Sequence, residues 1–285
     1  MRRARAARIL PSERLLNRGK VKAKRLGVVG VGTLGEALIR GFRTKWPTLP
    51  IAGSVHRESS LARRASSGVE LTRDAAEAVQ GCDVVILSVK PQAIPEVLDR
   101  IRGNLDPGVL VISVAAGVTT GRIESVLGEV PVVRVMPNTP CLLGEGMSVL
   151  TPGAHAQPEH MAFAEELFDA VGKTAVLEEG LLNAVTGLSG SGPAYVYLVI
   201  ESLAEAGVKV GIPRATSTLL AAQTVLGAAR MVLECGEHPA LLKDAVTTPA
   251  GCTVDGLMEL EEGGLRVTLV KAVVKATERA KALEP

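Results

Sequence analysis

The sequence predicts an α/β + all-α protein in which a doubly wound parallel sheet is followed by a helical domain. Two observations support the sheet: apolar runs of strand length alternate with helical patterns from residue 26 to residue 176, and the first run ends in a glycine-rich turn. A third observation supports the helical domain, because the pattern is helical from Leu181 to the end of the chain. The length of 285 residues and the hydrophobic content of 47% suffice for about two domains.

Strands and helices follow one another in a regular order along the first half of the chain. The predicted strands are Leu26–Val29, Ile51–Ser54, Glu70–Leu71, Val84–Ser88, Val109–Val114, Val132–Val135, Met147–Leu150 and Lys173–Val176. The predicted helices are the segment after the glycine-rich turn, with Ala37, Leu38 and Phe42 on one face, and then 59–67, 74–80, 92–101, 119–127 and 157–170. Because helices cover both faces of a parallel sheet, its strands read as continuous apolar runs, as these do. We therefore expect a tail at 1–25, a sheet domain at 26–178 and a helical domain at 179–285.

Charge is unevenly distributed along the chain. Residues 1–25 hold ten Lys or Arg residues and one acid, although the net charge of the whole chain is only +2. This segment fits a mitochondrial presequence, a nucleic-acid-binding arm or a leader translated from an early start codon, and we favour a disordered, dispensable tail. It lacks the apolar centre of a secretory signal. We expect a cytoplasmic protein, or a mitochondrial one if the tail is a presequence.

Composition argues against several classes of function. Aromatic residues make up 2% of the chain, which is too few for stacking on bases, so we expect no nucleic-acid partner. Beyond the tail, no run of about 18 apolar residues is free of turn signals, so we expect no membrane partner. The four cysteines and four histidines show no metal-ligand spacing, which predicts free thiols in a reducing compartment and no metal site.

The glycine-rich turn is the first candidate binding site. The strand Leu26–Val29 leads directly into Gly30-Val31-Gly32-Thr33-Leu34-Gly35, which has the spacing G-x-G-x-x-G, and a helical pattern follows. In this context the glycines form a tight turn, admit a pyrophosphate close to the backbone and let the helix pack on the strand. The six residues therefore predict a Rossmann-type dinucleotide site, with a plain strand-to-helix turn as the alternative.

The end of the second strand indicates which dinucleotide binds. It reads Ser54-Val55-His56-Arg57, without the acidic residue that holds the ribose hydroxyls of NAD. A hydroxyl and a guanidinium suit the extra phosphate of NADP, with Arg63 or Arg64 as helpers. We therefore predict NADP (NADPH) as the cofactor, held through Ser54 and Arg57, and NAD is the alternative. The competing interpretation is that these arginines are solvated helix surface.

The helical domain begins with a dense glycine motif. The run Thr186 to Ala194 contains three glycines and leads into Gly192–Ala206, a segment that is apolar on nearly all sides. A helix that is hydrophobic all round must be buried on all sides, and in a domain of this size that favours helices shared between subunits. We therefore expect a homodimer or larger homo-oligomer and describe this part as a helical dimerisation domain.

A second dense motif lies nearer the C-terminus, at Thr247-Thr248-Pro249-Ala250-Gly251-Cys252-Thr253. Pro249 and Gly251 stop the preceding helix, and Thr253 is expected to cap a helix over Val254–Glu262. Free backbone N–H groups near 251–255 favour an anion such as a carboxylate, because they lie at the N-terminus of the helix, which is the positive end of its dipole. An ordinary capped connection between two helices is the alternative.

This motif, with Gly256-Leu257 and Leu260-Glu261 after it, resembles the signature of the pyrroline-5-carboxylate reductase family, and the resemblance extends over residues 26 to 283. It implies NAD(P)H-dependent reduction of 1-pyrroline-5-carboxylate to L-proline, the last step of proline biosynthesis, in an intertwined dimer that is often gathered into larger rings. Three residues depart from those common in the family, namely Ala75, Ala245 and Cys252. Ala75 and Ala245 stand where relatives carry Asn near the cofactor or the site, which leaves cofactor affinity open but not the reaction class, and Cys252 leaves the backbone role of its position possible.

The resemblance also assigns residues to the site. Two loops would line the pyrophosphate, ribose and nicotinamide, and a third would close the nicotinamide end: Ser88, Val89, Lys90 and Pro91 in the first, Ala115 and Ala116 in the second, and Asn138 in the third. We expect the substrate carboxylate to rest on backbone N–H groups and two hydroxyls, supplied by Gly251, Cys252, Thr253, Thr248 and Ser191. The Thr253 hydroxyl would meet the ring nitrogen as the catalytic group. Glu179 would lie near the substrate, or be a surface acid.

Two other functions stay open. Hydroxyacid dehydrogenases of the two-domain Rossmann type share a G-x-x-G-x-G run like that at 187–192, but they follow it with a catalytic Lys and then an Asn, where this chain has Val196 and Ile200. Carbonyl reduction needs that general acid, whereas a cyclic imine is basic enough to be partly protonated near neutral pH and needs mainly alignment and exclusion of water. A nucleotide-sensing protein without catalysis would leave the second motif unexplained.

Overall fold

The structure, a computed structural model, describes residues 24–56, 58 and 69–284. Most of the basic tail, the helix predicted at 59–67 and the three arginines Arg57, Arg63 and Arg64 lie outside the described residues. The chain divides into two compact units. The first contains the described residues up to Gly190 together with those from Ala276 onward, and the second is Ser191–Lys275.

The first unit is built on one eight-stranded sheet with the strand order β3-β2-β1-β4-β5-β6-β7-β8. The strands are β1 Leu26–Val29, β2 Ile51–Ser54, β3 Glu70–Thr72, β4 Val84–Leu87, β5 Leu110–Ser113, β6 Val132–Met136, β7 Gly146–Pro152 and β8 Gly172–Val176. The first six strands have the order 3-2-1-4-5-6, which is that of the doubly wound dinucleotide-binding fold. The predicted Rossmann-type sheet is therefore confirmed.

One strand departs from the parallel arrangement that the sequence predicts. β7 pairs with β6 in the antiparallel direction, while every other neighbouring pair in the described sheet is parallel. The connection from Met136 to Gly146 holds only a short 3-10 turn at Thr139–Leu143. A parallel return needs a crossover of a dozen or more residues, so a connection this short reverses the strand instead.

Helices cover both faces of this sheet. They are α1 Thr33–Lys45, α2 Ala75–Val79, α3 Ile94–Ile101, α4 Thr120–Leu127 and α5 Pro158–Phe168, and the unit then continues through α6 Leu182–Val185 into a π-helix at Thr186–Gly190. Asp74 caps α2 by accepting a hydrogen bond from the Ala76 N–H, and Thr119 caps α4 in the same way through the Arg122 N–H. The single helix predicted at 92–101 is a 3-10 turn, Pro91–Ala93, followed by α3. Pro95 lies in the first turn of α3, where its missing N–H is tolerated.

The core of the first unit has two layers, one on each face of the sheet. Val28 belongs to one apolar cluster and Val29 to the other, because successive side chains of a strand point to opposite faces. In the first layer Phe42 and Phe168 are fully buried and meet edge to face, with ring centroids 6.2 Å apart. In the second layer Ile94 is fully buried against the sheet. The predicted alternation of apolar strands with helices thus produces a sheet that has an apolar layer on each face.

The cysteines are free thiols, two of them buried. Burial raises the pKa of the Cys82 and Cys141 thiols, which keeps both protonated at neutral pH. Cys235 and Cys252 are exposed. Among the residues that the structure describes, no three His, Cys, Asp or Glu side chains are grouped as a metal ion would require.

The second unit consists of helices. They are α7 Gly192–Lys209, α8 Arg214–Cys235, α9 Pro239–Ala245, α10 Cys252–Glu262 and α11 Leu265–Ala282, of which the last turns join the first unit. The Ser217 hydroxyl of α8 donates to the Ala204 carbonyl of α7 at 2.7 Å, which ties these two helices together. The all-α part of the predicted fold is therefore confirmed.

Most large apolar side chains of the second unit are exposed in the single chain. Ala204 is the one buried residue of α7, although this helix was expected to be buried on all sides, and Leu198 is 64% exposed. One described helix, α8, is long and apolar enough to cross a membrane by length and composition alone, and it is almost entirely exposed. An apolar surface of this extent on a folded unit marks a surface that another chain or an apolar phase covers.

Candidate active site

The glycine-rich turn is held against the ends of two strands. The N–H groups of Gly30 and Val31 both donate to the Ser54 carbonyl, at 3.1 and 2.8 Å, and the Ser88 N–H donates to the Val29 carbonyl at 2.8 Å. Gly30 has a φ of +91°, and a Cβ built there would lie 2.5 Å from Val89 Cγ1. Only glycine fits this position. The structure therefore brings Ser54, Ser88 and Val89 together with the turn.

Two features leave this turn ready for a ligand. A Cβ built at Gly32, the N-cap of α1, meets no atom of the described residues within 4 Å. Next to the turn, the Ser88 Oγ is buried and has no hydrogen-bond partner in the part of the chain that the structure describes. A buried hydroxyl without a partner is uncommon in folded proteins. Open space above the N-terminus of α1, beside an unsatisfied hydroxyl, fits a phosphate group.

The remaining residues predicted to line this side occupy the carboxyl ends of β4, β5 and β6. Pro91 opens the 3-10 turn that precedes α3, and Lys90 beside it is exposed. Ala115 is buried and Ala116 is exposed at the end of β5. Asn138 lies just beyond β6 and is half-buried, with its side-chain oxygen and nitrogen bonded to the backbone of Met147 and Ser189. These loops meet at one edge of the sheet, where ligands of such folds bind.

An open cavity of about 480 Å³ lies beyond β2 and β3 and contains residues that the sequence analysis did not single out. Its lining residues are His56, Thr72, Arg73, Asp74, Glu96 and Arg100. Asp74 caps α2, and Glu96 accepts a hydrogen bond from Arg100 at 2.8 Å. This cavity has the size of a ligand site, and its described charged lining consists of two arginines and two carboxylates.

Glu179 lies in the first unit and is fully engaged by its neighbours. Its carboxylate accepts hydrogen bonds from the Thr120 N–H at 2.8 Å, from the Thr120 hydroxyl at 2.9 Å and from Arg134 Nη1 at 3.1 Å. The Arg134 side chain is only 3% exposed, whereas that of Glu179 is 29% exposed. The carboxylate therefore fixes the first turn of α4 and pairs with a buried cation. These contacts favour a positioning role, and contact with the substrate stays a prediction.

The turn at 247–253 differs in one respect from the sequence prediction. Gly251, and not Thr253, is the N-cap of α10, because the helix already begins at Cys252. The chain reaches this cap through Ala250, whose φ of +54° is left-handed, and the Gly251 N–H donates to the Thr248 carbonyl at 3.0 Å. This tight turn starts the helix earlier than Thr253. Thr253 is consequently the second residue of α10 and is half-buried.

With Gly251 as the N-cap, the turn still presents free backbone donors at the start of α10. The cap makes no side-chain hydrogen bond, and the Val254 N–H donates to the Gly251 carbonyl at 3.1 Å. The N–H groups of Cys252 and Thr253 precede any helical acceptor in α10, so they point out of its first turn as orphan donors. The second unit contains all five residues predicted to hold the substrate carboxylate, namely Ser191, which is its first residue, Thr248, Gly251, Cys252 and Thr253.

Comparisons with known proteins match both parts of the chain. A family model described as pyrroline-5-carboxylate reductase dimerisation matches residues 179–283, and one described as NADP oxidoreductase coenzyme F420-dependent matches residues 25–117. The pyrroline-5-carboxylate reductase of Arabidopsis thaliana is 44% identical over 91% of this chain and 95% of its own length. That of Methanosarcina acetivorans is 43% identical over 91% of this chain and 98% of its own length. The chain belongs to the pyrroline-5-carboxylate reductase family.

Solved structures of this family have the same fold. The pyrroline-5-carboxylate reductase of Coxiella burnetii has a TM-score of 0.86 at 35% identity and covers 92% of this chain and 99% of its own. The enzyme of Plasmodium falciparum, solved with NADP bound, has a TM-score of 0.81 at 32% identity and covers 92% of this chain and 98% of its own. A 3-hydroxyisobutyrate dehydrogenase of Mycobacterium tuberculosis has a TM-score of 0.51 at 13% identity, which shows a shared fold alone.

Three features of the site were not found from the sequence. The π-helix at Thr186–Gly190 lies in the glycine motif, and a π-helix this short, whose hydrogen bonds span five residues instead of four, leaves no clear sequence pattern. The buried ion pair between Arg134 and Glu179 joins residues far apart in sequence. A charge inside an otherwise apolar strand was the available signal for Arg134. The cavity beside β3 is made by segments that only the fold brings together.

Proposed function

We propose that this chain reduces 1-pyrroline-5-carboxylate to L-proline with NADPH, the last step of proline biosynthesis. The observation that carries the proposal is identity of 44% to a pyrroline-5-carboxylate reductase along nearly the whole chain. The motif at 247–253 lies within residues 179–283, which the dimerisation family matches, and the glycine-rich turn lies within residues 25–117, which the NADP oxidoreductase family matches. The first motif would bind the imine, which accepts the hydride, and the glycine-rich turn would bind NADPH, which donates it.

NADP fits the residues of the first unit. The relative from Plasmodium falciparum binds NADP, and the turn at 30–35 offers open space at Gly32, a position at Gly30 that only glycine fits, and the Ser88 hydroxyl, which has no partner among the described residues. In the proposal the turn holds the pyrophosphate, Ser54 and Arg57 hold the adenosine end, and Lys90 and Ala116 line the path towards the nicotinamide. NADPH supplies the hydride when it is bound.

The residues of the second unit bind and orient the imine. The N–H groups of Cys252 and Thr253, at the start of α10, hold the carboxylate, and the hydroxyls of Thr248 and Ser191 add polar contacts. The Thr253 hydroxyl meets the ring nitrogen. A protonated cyclic imine already accepts hydride, so the protein has to align the two reactants and exclude water, and no strong general acid is needed.

The chain acts as a homo-oligomer. The match to a dimerisation family over residues 179–283 coincides with the helices whose large apolar side chains are exposed in the single chain. A partner copy that covers α7 and α8 would remove this surface from water, and it accounts for the length and apolar character of α8 without a membrane. We further propose an intertwined dimer gathered into a larger ring, located in the cytoplasm, or in a mitochondrion if the basic tail is a presequence. Nucleic acid and membranes are not among its partners.

Turnover separates this function from its alternatives. Purified protein is mixed with NADPH and 1-pyrroline-5-carboxylate, and the loss of nicotinamide absorbance is followed. A hydroxyacid dehydrogenase would instead oxidise a hydroxyacid with NADP, but Val196 and Ile200 replace the Lys and Asn that this chemistry needs. Binding of NADPH without turnover of either substrate would favour a sensor.

Cofactor preference is the first prediction. We expect a higher kcat/KM with NADPH than with NADH, because Ser54 and Arg57 provide a hydroxyl and a forked cation, and no acid at the end of β2 holds a free ribose hydroxyl. Initial rates with both cofactors at saturating imine measure this preference. Arg57→Ala should lower kcat/KM for NADPH and leave that for NADH unchanged. A clear preference for NADH in the unaltered protein would overturn the assignment.

The turn provides the second prediction, in the form of two matched glycine substitutions. Gly32→Ala should keep the melting temperature, because its Cβ meets no atom of the chain, and should weaken NADPH binding by about tenfold or more, because the pyrophosphate approaches there. Gly30→Ala should also lower the melting temperature, because its φ is +91° and its Cβ would crowd Val89. Titration of NADPH fluorescence gives the affinities. Unchanged affinity in Gly32→Ala would place the pyrophosphate elsewhere.

A further inference from the structure

The side chain of Asn138 connects three parts of the first unit. Its Oδ1 accepts a hydrogen bond from the Met147 N–H at 2.8 Å, and its Nδ2 donates to the Ser189 carbonyl at 3.0 Å. Asn138 itself follows β6, Met147 is the second residue of β7, and Ser189 lies in the π-helix at Thr186–Gly190. One amide therefore holds a loop, a strand and a π-helix together.

The bond to Ser189 satisfies a carbonyl that the helix itself leaves without a donor. In a continuing α-helix this carbonyl would accept from the residue four positions later, which is Pro193 and has no N–H. The π-type donor one residue further on is Ala194, but its N–H donates to the Ser191 carbonyl at 3.0 Å. The Asn138 amide takes the place of both missing donors, and an unmet carbonyl at this half-buried position would be unfavourable.

Apolar packing at the same place shows that the π-helix is fitted closely to the sheet. A Cβ built at Gly190 would lie 2.9 Å from Met136 Cε, and α6, which leads into the π-helix, buries Leu182 and Val185 in a cluster with Met136 and Met147. These contacts place the π-helix on the ends of β6 and β7. The hydrogen bond from Asn138 then fixes where along those strands the π-helix ends.

We propose that Asn138 is a positioning residue for the substrate side of the site and not a ligand of the cofactor. Its amide fixes the end of the π-helix at Gly190, and Ser191 is the next residue along the chain. The proposal rests on the proposed function, in which Ser191 contacts the imine carboxylate. Because the Asn138 oxygen and nitrogen are both bonded to the backbone, its loss affects the imine more than NADPH.

The test uses Asn138→Asp in the full-length protein, with Asn104→Asp as the matched control. An aspartate keeps the acceptor for the Met147 N–H and removes the donor to the Ser189 carbonyl. Asn104 donates its amide to the Arg100 carbonyl at 3.2 Å in an exposed bond remote from the site, so the control makes the same chemical change at the surface. We expect Asn138→Asp to lower kcat/KM for the imine by about tenfold or more and to leave the NADPH dissociation constant within about twofold.

A second variant tests the reason for the effect. Pro193→Ala restores a backbone N–H four residues after Ser189, so adding it to Asn138→Asp should recover part of the lost kcat/KM. If Asn138→Asp does not fold, folding of the double variant is the test. The proposal predicts that Pro193→Ala restores folding, because it supplies the missing donor to the Ser189 carbonyl. A double variant as impaired as the single one, or an NADPH dissociation constant raised about tenfold by Asn138→Asp, contradicts the proposal.

Hydrogen exchange provides a readout that needs no substrate. Backbone amides of residues 186–192 should exchange about tenfold faster in Asn138→Asp than in the unaltered protein and at an unchanged rate in Asn104→Asp. Equal exchange in all three proteins would overturn the proposal. If the imine is not turned over but exchange responds as expected, the proposed function fails while the positioning role of Asn138 stands.

Discussion

Thr253→Ala lowers kcat/KM for 1-pyrroline-5-carboxylate by about ten- to a hundredfold, because one oriented donor is removed from the reacting centre. The structure makes this expectation more specific, since Thr253 is the second residue of α10 and its N–H is one of the orphan donors. The substitution removes the hydroxyl and leaves that N–H in place. We therefore expect kcat to fall more than the apparent affinity for the imine, and steady-state kinetics at saturating NADPH measure both.

Two matched variants distinguish this effect from a general disturbance of a helix. Thr253→Ser keeps the hydroxyl and should retain most of the activity. Thr44→Ala removes an exposed hydroxyl of α1 that donates to the Arg40 carbonyl at 3.0 Å, and it should leave the kinetics unchanged. A Thr253→Ala protein with an unaltered melting temperature and unaltered kcat/KM would refute the catalytic role.

Glu179→Ala lowers the free energy of unfolding by about 3 kcal/mol, because it leaves the buried Arg134 guanidinium without its carboxylate partner. This value is the lower end of the range for broken buried pairs, since the Glu179 side chain is 29% exposed and water can reach part of the site. Thr120 also loses the acceptor for its N–H and its hydroxyl. Urea unfolding followed by circular dichroism measures the change.

A surface pair serves as the control for this prediction. Glu96 and Arg100 are four residues apart on α3 and exposed, so Glu96→Ala should cost only about 0.5 kcal/mol. Replacing both partners of the buried pair, in Glu179→Gln with Arg134→Met, should be less destabilising than Glu179→Ala, because no unpaired charge remains. If Glu179→Ala is no more destabilising than Glu96→Ala, Glu179 does not hold Arg134 in solution.

Elements with strong local signals were predicted from the sequence. The strands β1, β2 and β4 are short runs of apolar residues between turn signals, and both faces of each are buried, so tertiary contacts reinforce the local preference. The glycine spacing at 30–35 was equally informative, because a left-handed φ at Gly30 and the close approach of Val89 require glycine there.

Features that depend on alternative local geometries were predicted less well. Thr253 is a good N-cap residue and was predicted to cap α10, but Gly251 occupies the cap because the turn through Ala250 starts the helix earlier. The direction of β7 also depends on the length of the connection before it, which an apolar pattern does not report. The first error arises at a helix boundary, where propensity differences are small compared with the contacts of the turn.

Side-chain roles at the site required the fold. The resemblance places Glu179 near the substrate and Asn138 near the cofactor, and both assignments stay predictions. The structure adds that Glu179 binds Thr120 and Arg134 and that Asn138 binds Met147 and Ser189. Partners so distant in sequence leave no periodic pattern. The contacts of both side chains with distant parts of the first unit therefore become visible only in the folded structure.

Synthesis of L-proline from the imine consumes NADPH. The most direct measurement follows NADPH consumption and L-proline formation together in a reaction that contains only purified protein, NADPH and 1-pyrroline-5-carboxylate. We expect one L-proline for each NADPH consumed, and a marked loss of both in Thr253→Ala. NADPH that stays unconsumed, or is consumed without formation of L-proline, would contradict it.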